Sequence, residues 1–156
     1  MNAPGLRSLA FTVRSAGPED LDAIMAIERV EFPEDAWSPA TMAAEIGSPI
    51  GRYLVATAGD EVIGYAGVRA AGDQADVQTI AVRSDRRRAG IGRALLLELL
   101  AEAARRGAAT VFLEVRADNA AAQTLYLRLG FVAVDIRAGY YPGVVDAIVM
   151  RKELRA

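Results

Sequence analysis

The chain contains no cysteine and no histidine. Disulfides, thiolate nucleophiles, zinc fingers and histidine-based triads are thereby excluded. A chain without thiols is indifferent to redox state, so cysteine usage assigns no compartment. Lysine occurs once, at Lys152, and arginine supplies the rest of the 18 basic side chains. General acid–base chemistry must therefore come from Asp, Glu, Tyr, that lysine or a terminus. Carboxylates alone could still hold a metal, but no metal is expected.

Long apolar runs are missing as well. None approaches the roughly 18–20 residues that span a bilayer, and residues 1–10 lack the apolar stretch of a signal peptide. A soluble cytoplasmic protein with no membrane partner is the expectation. An excess of positive charge is also absent. The 18 Lys+Arg face 20 Asp+Glu, a net charge of −2, which disfavours direct nucleic-acid binding. What is plentiful is apolar: 53% of 156 residues are hydrophobic and 24% charged. That suits one globular domain with its own core rather than a disordered chain. The bias toward alanine and arginine suggests a GC-rich genome and carries no chemistry.

Hydropathy patterning divides the chain into alternating elements. Residues 11–15 alternate apolar and polar and read as a strand. Pro18 stands where a first helical residue would, and Leu21, Ile24, Met25, Ile27 and Val30 follow at helical spacing. A break over 32–37 ends at Ser38, an N-cap before Pro39, which predicts a short helix to about Ile46. Strands are predicted at 52–58 and 61–70 around Gly59-Asp60, and at 75–82. Residues 83–88 read as a charged turn, 90–106 as an amphipathic helix closed by Gly107, and 110–115 as a buried strand. Asn119 can cap a helix over 120–129 that Gly130 ends. Strands at 131–136 and 145–152 finish the chain, joined by a loop over 137–144. The order β-α-α-β-β-β-α-β-α-β-β predicts a single α/β domain with a mixed, mostly antiparallel sheet. Its antiparallel meander passes into one parallel crossover, from 75–82 to 110–115. Residues 1–10 read as a flexible tail ahead of a domain over 11–156.

The most informative stretch is 79–97: a strand, a glycine-containing turn and a helix. Such a turn presents free backbone N–H groups at a helix start, where anions bind. Gly90 and Gly92 allow close approach, and Arg87, Arg88 and Arg93 add positive charge. A dinucleotide fingerprint fails because Leu95 stands where its third small residue belongs, and a P-loop fails because the lysine is elsewhere. Glycine spacing alone leaves two readings open, a phosphate site or a tight turn among solvated arginines.

Arg87-Arg88-Ala89-Gly90-Ile91-Gly92 resembles the Arg/Gln-x-x-Gly-x-Gly/Ala signature of the GNAT superfamily of N-acetyltransferases. Residues 112–131 (FLEVRADNAAAQTLYLRLGF) resemble a run of its RimI subfamily. So do Arg137-Ala138-Gly139-Tyr140-Tyr141-Pro142 and Phe32-Pro33 with Trp37-Ser38. The likeness covers about residues 12–152 and implies the GNAT fold with acetyl-CoA as cosubstrate. It implies that Arg87, Arg88, Ala89, Gly90, Ile91, Gly92 and Arg93 hold the pyrophosphate, largely by backbone amides. The pantetheine arm would pair along Ile80, Ala81 and Val82. The acceptor implied is a protein N-terminus, the N-terminal alanine of a small-subunit ribosomal protein. Two departures stand out. Glu34-Asp35-Ala36 lengthen the loop between Pro33 and Trp37, and Asp118 replaces a frequent Ser.

Individual residues then carry two readings each. Glu114 lies in the apolar run 111–115, where a carboxylate needs a partner or a role. It is either paired with an arginine such as Arg116 or, as the resemblance implies, the general base. Tyr126 reads as core by periodicity, while the resemblance makes it the general acid that protonates the departing thiolate. Asn119 is a helix cap to which the resemblance adds a CoA contact. Trp37, Tyr140 and Tyr141 are packing or loop aromatics, or the walls of an acceptor groove. Without Cys or His nucleophiles, direct transfer in a ternary complex is expected. The alternatives are a relative acting on a small amine or a lysine side chain, and a silent acyl-CoA sensor. The Glu114 and Tyr126 pair argues against the sensor.

Overall fold

The computed structural model describes residues 10–87, 89–142 and 145–154. Residues 1–9 of the expected tail and Arg88 of the expected phosphate turn lie outside the described residues. The elements follow the expected order: β1 (Thr12–Ser15), α1 (Leu21–Glu31), α2 (Pro39–Ile46), β2 (Gly51–Ala58), β3 (Glu61–Ala71) and β4 (Gln74–Val82). After them come α3 (Ile91–Arg105), β5 (Thr110–Arg116), α4 (Ala120–Arg128), β6 (Val132–Tyr141) and β7 (Val145–Glu153). Two capping expectations hold in detail. Ser38 Oγ accepts from Thr41 N at 3.1 Å, and Asn119 Oδ1 accepts from Ala122 N at 3.0 Å. Among the described residues, no helix is long and apolar enough to cross a membrane.

The strands form one sheet in the order β1-β2-β3-β4-β5-β7-β6. Every neighbouring pair is antiparallel except β4 and β5. That parallel pair is short: Gln74, Ala75 and Asp76 face Thr110, Val111 and Phe112, and there the ladder ends. Past that point residues 77–82 and 113–116 take no strand partner from each other. A bulge assists the divergence. Gly67 pairs with Thr79 but Val68 pairs with Val77, so Gln78 is an extra residue on β4. An extra residue bends its strand and sharpens its twist.

Both faces of the sheet are covered. Leu95, Leu96, Leu99 and Leu100 of α3 pack on Leu54, Val68, Val111, Leu113 and Met150. On the other face Ile24, Met25, Ile27 and Met42 of α1 and α2 pack on Tyr53, Val55, Tyr65 and Ala81. This explains why β2 is buried without alternation from Tyr53 to Thr57. Each buried leucine contributes about 1.5–3 kcal/mol, more than a surface ion pair at up to about 1 kcal/mol. The leucines therefore dominate the docking of α3.

One expected loop is instead strand. Residues 137–144 were to join the last two strands, yet β6 continues through Tyr141. The register jumps from Arg137–Ala147 to Tyr141–Val145. Gly139 takes a left-handed φ of 61° there, and its N–H donates to Asp146 Oδ1 at 2.9 Å. The glycine that signals a turn in the sequence serves a bulge within a ladder. Tyr140 and Tyr141 thus stand on the end of a strand, not in a loop.

Charge adds a pH-dependent tie on α3. Glu102 takes Arg105 at 2.8 Å, Arg106 at 2.7 Å and Arg52 of β2 at 3.2 Å. Hydrogen bonds from Arg105 and then Arg106 hold its carboxyl down at about 2. A depressed carboxyl contributes stability fully above its unfolded value of about 4.3, and loses it as pH falls toward the folded value. Glu102→Gln should therefore lower Tm by a few degrees at neutral pH and little at pH 2. Thermal melts at both pH values test this, and equal neutral-pH melting would show the network to be idle.

Candidate active site

A cavity of about 870 Å³ opens where β4 and β5 part. Gln78, Thr79 and Ile80 line it from β4, and Glu114, Val115 and Arg116 from β5. Asn119 and Tyr126 line it from the start and body of α4. Two segments complete the walls: Phe32, Asp35 and Trp37 after α1, and Tyr140, Tyr141 and Pro142 at the end of β6. The fold thus brings the expected base, acid and three aromatic wall residues to one cavity. It does so from elements far apart in sequence.

Of the strand residues expected to face a cosubstrate, only Ile80 lines the cavity. Ala81 is buried in the core under α1 and α2, and Val82 packs on the core under α3. What 77–82 can offer a ligand is the backbone edge that β5 leaves unpaired. The glycine turn is outside the cavity, past the C-terminal end of β4. Gly90 occupies the N-cap of α3 with φ 80° and gives no side-chain cap. Among the described residues, the first N–H groups of α3 therefore receive no side-chain cap from the N-cap position. Ile91 is buried and Ala89 packs on the core, which anchors the turn. Arg93 is exposed. Arg87 is engaged: its Nη2 donates to Glu31 Oε1 at the end of α1.

Glu114 pairs with Arg137 at 2.9 Å, across the intervening β7. The expected neighbour, Arg116, instead holds Asp118 at 3.0 Å and lies over the Tyr141 ring. Arg137 lies over the Tyr140 ring, and the two tyrosines meet edge to face at 5.1 Å. The Glu114 carboxylate, as hydrogen-bond acceptor and then as charge, pushes the Tyr140 phenol up. Burial, followed by the Glu114 charge, pushes Tyr141 up to about 12. Burial also raises Tyr126, whose ring packs edge-on against Phe131. All three phenols are therefore protonated at neutral pH. Asp76 shifts upward too, through desolvation and then repulsion from Glu114.

Of the cavity residues that sequence reasoning missed, among them Asp76, Thr79 and Arg137, the most deeply buried carboxylate is Glu28. Glu28 of α1 is 2% exposed and lines the site. It accepts a hydrogen bond from Trp37 N at 2.9 Å and another from Tyr65 Oη. The signal was present, because position 28 continues the apolar face marked by Ile24 and Met25. A carboxylate on such a face asks for an explanation.

Comparison with known proteins follows the same lines. The profile of the Acetyltransferase (GNAT) family matches residues 21–131. The [Ribosomal protein bS18]-alanine N-acetyltransferase of Escherichia coli K12 is 42% identical over 146 residues, covering 89% of this chain and 95% of that protein. The N-alpha-acetyltransferase RimI of Mycobacterium tuberculosis is 42% identical over 125 residues, covering 77% of each. The crystal structure of the Escherichia coli ribosomal-protein-S18-alanine N-acetyltransferase superposes with a TM-score of 0.86 at 37% identity, covering 94% of this chain and 96% of that one. With the family's model matched over residues 21–131 and relatives named as N-acetyltransferases 42% identical over most of its length, the chain belongs to the GNAT acetyltransferase family.

Proposed function

We propose that this enzyme transfers the acetyl group of acetyl-CoA to the α-amine of a protein N-terminus, an N-terminal alanine of a small-subunit ribosomal protein foremost. The observation that carries the reading is the meeting of Glu114 and Tyr126 in one cavity between aromatic walls. The described residues suit such a cosubstrate. The open edge of β4 offers backbone partners to the amides of a pantetheine arm. The uncapped start of α3 at Gly90 offers N–H groups to a diphosphate.

Acetyl-CoA supplies an activated acyl thioester. The protein's part is proton movement and alignment. An α-amine has a pKa of about 7.7–8.0, so much of it is protonated at neutral pH. Glu114 takes that proton, directly or through one water, and frees the lone pair. The new C–N bond forms as the C–S bond breaks. Tyr126, kept protonated by burial, gives its proton to the departing sulfur and is restored by the second proton that the acylated nitrogen sheds, so that amide and free thiol leave and the phenol is regenerated. Trp37, Tyr140 and Tyr141 exclude water around the reacting groups and contribute no base.

Acceptor choice follows from what stands beside the cavity. Asp35 lines it, and Asp35 and Glu34 both act electrostatically on Arg116. Peptides that begin with Ala and carry Arg or Lys at the next positions should be acetylated best. Neutralising Glu34 and Asp35 together should raise KM for such peptides several-fold and leave kcat nearly unchanged. The test is a panel of N-terminal peptides beside free amines and N-terminally blocked lysine peptides. Comparable rates on the blocked lysine peptides would overturn the N-terminal reading.

A further inference from the structure

Glu28 is a buried carboxylate that the chemistry above does not use. Among the described residues no cation pairs with it, and burying an anion without a counter-charge is costly. Two hydrogen bonds compensate. Oε2 accepts from the backbone N of Trp37 at 2.9 Å, and Oε1 accepts from the Tyr65 hydroxyl. Tyr65 stands on β3, whose ladder pairs it with Ala81 of β4, and the Thr79 side chain is near enough to act on its phenol. Thr79 immediately precedes Ile80 on β4, and both line the cavity. Hydrogen bonds thus run from the aromatic wall at Trp37 through Glu28 to Tyr65, and the β3–β4 ladder ties Tyr65 to the strand opposite.

We infer that Glu28 is a positioning residue that fixes the Trp37 wall relative to β4 and so sets acceptor affinity. The inference rests on the reading of Trp37 as an acceptor wall. The short segment after α1 packs Phe32 and Trp37 on the core under α1 and α2, and its hydrogen bonds to position 28 set its register. The Phe32 N–H bonds back to the Glu28 carbonyl at 2.8 Å, and Pro33 can donate no backbone hydrogen bond. Position 28 therefore grips the segment twice, by its carbonyl at Phe32 and by its side chain at Trp37. An amide could replace the carboxylate, with its oxygen accepting from Trp37 N and its NH₂ donating to Tyr65. An alanine leaves both partners unpaired in a buried place.

Trp37 is the only tryptophan of the chain, so its fluorescence reports the wall without any substrate. In Glu28→Ala the emission should shift to the red and acrylamide quenching should rise. KM for an Ala-first peptide should rise roughly tenfold or more, while kcat at saturating peptide and CoA affinity move little. Glu28→Gln should restore both the fluorescence and the KM. Tyr65→Phe should give a smaller change of the same sign, and it carries the test if Glu28→Ala fails to fold. Unchanged Trp37 fluorescence in the folded variants overturns the inference. So does failure of Glu28→Gln to rescue, or a parallel loss of kcat, CoA affinity and peptide affinity. A fluorescence change with unmoved KM also overturns it. Wild-type peptide preference is measured separately, so either reading can fail without the other.

Discussion

Glu114→Gln is expected to lower kcat at neutral pH by roughly 10²–10⁴-fold, the usual contribution of a positioned general base. The amide keeps the shape of the carboxylate and a contact to Arg137, so CoA affinity should barely change. The pH profile separates this role from a merely structural ion pair. As pH rises past the amine's own pKa of about 7.7–8.0, solution does the deprotonation and the deficit should shrink. A lost ion pair would leave a deficit that does not shrink in that way. Tyr126→Phe should also slow transfer, because a buried phenol protonated well above neutral pH loses its only transferable proton. Steady-state rates that stay near wild type in both variants would return the two residues to the role of packing.

The second large effect concerns Gly90. Its φ of 80° is one that L side chains rarely adopt, and a Cβ there would meet nothing within 4 Å. Substitution therefore acts through the backbone, not through a clash. A β-branched residue at such a φ costs of order 1–3 kcal/mol, and the turn relieves it by rotating its N–H groups away from the ligand. Gly90→Val should weaken CoA binding by roughly 10–100-fold in calorimetric titration, the range for one or two lost charge-assisted hydrogen bonds. The core leucines of α3 are untouched, so the fold should survive. Gly90→Asn is the informative control, since Asn tolerates the left-handed region and should retain much of the affinity. At Gly92 a Cβ would sit 3.6 Å from Leu125 Cδ2 and 3.9 Å from Val82 Cγ2, ordinary contact distances. Gly92→Ala should thus be mild and Gly92→Val the damaging change. Unaltered affinity in folded Gly90→Val would remove the turn from the site.

Much of the fold was legible because its signals are local. Ser38 and Asn119 announce their helices by what their side chains accept. Gly59-Asp60 announces the β2–β3 hairpin, and the crossover length announces a parallel pair. The parts that were not legible are relations between distant segments. Patterning marks β4 as a strand and β5 as a buried one, but not that their ladder ends after three pairs. The end of β6 was misread because Gly139 and Pro142 look like turn punctuation, and only the partner strand's Asp146 reveals a bulge. An arginine partner for Glu114 was one of two open readings with Arg116 as the example, and the arginine that pairs with it, Arg137, arrives from two strands away. Trp37, Glu114, Tyr126, Tyr140 and Tyr141 were found through motifs, and their convergence is a property of topology.

The three-pair contact between β4 and β5 has a consequence for how activity arises during folding. It divides the sheet into a meander of β1 to β4, whose neighbours are adjacent in sequence, and a second unit of β5, β7 and β6. Strands β2 to β4 can form by local closures, while β1 pairs with β2 across the connection that carries α1 and α2, and the second unit is delivered across the α3 connection, both at a larger entropic cost. Neither unit owns the chemistry. Ile80 and Glu28 belong to the first, and Glu114, Tyr126 and Arg137 to the second. The leucines of α3 bury themselves against both at once, so hydrophobic docking and completion of the cavity are one event. A chain that stopped after α3 would carry helices, strands and the glycine turn, yet neither Glu114 nor Tyr126.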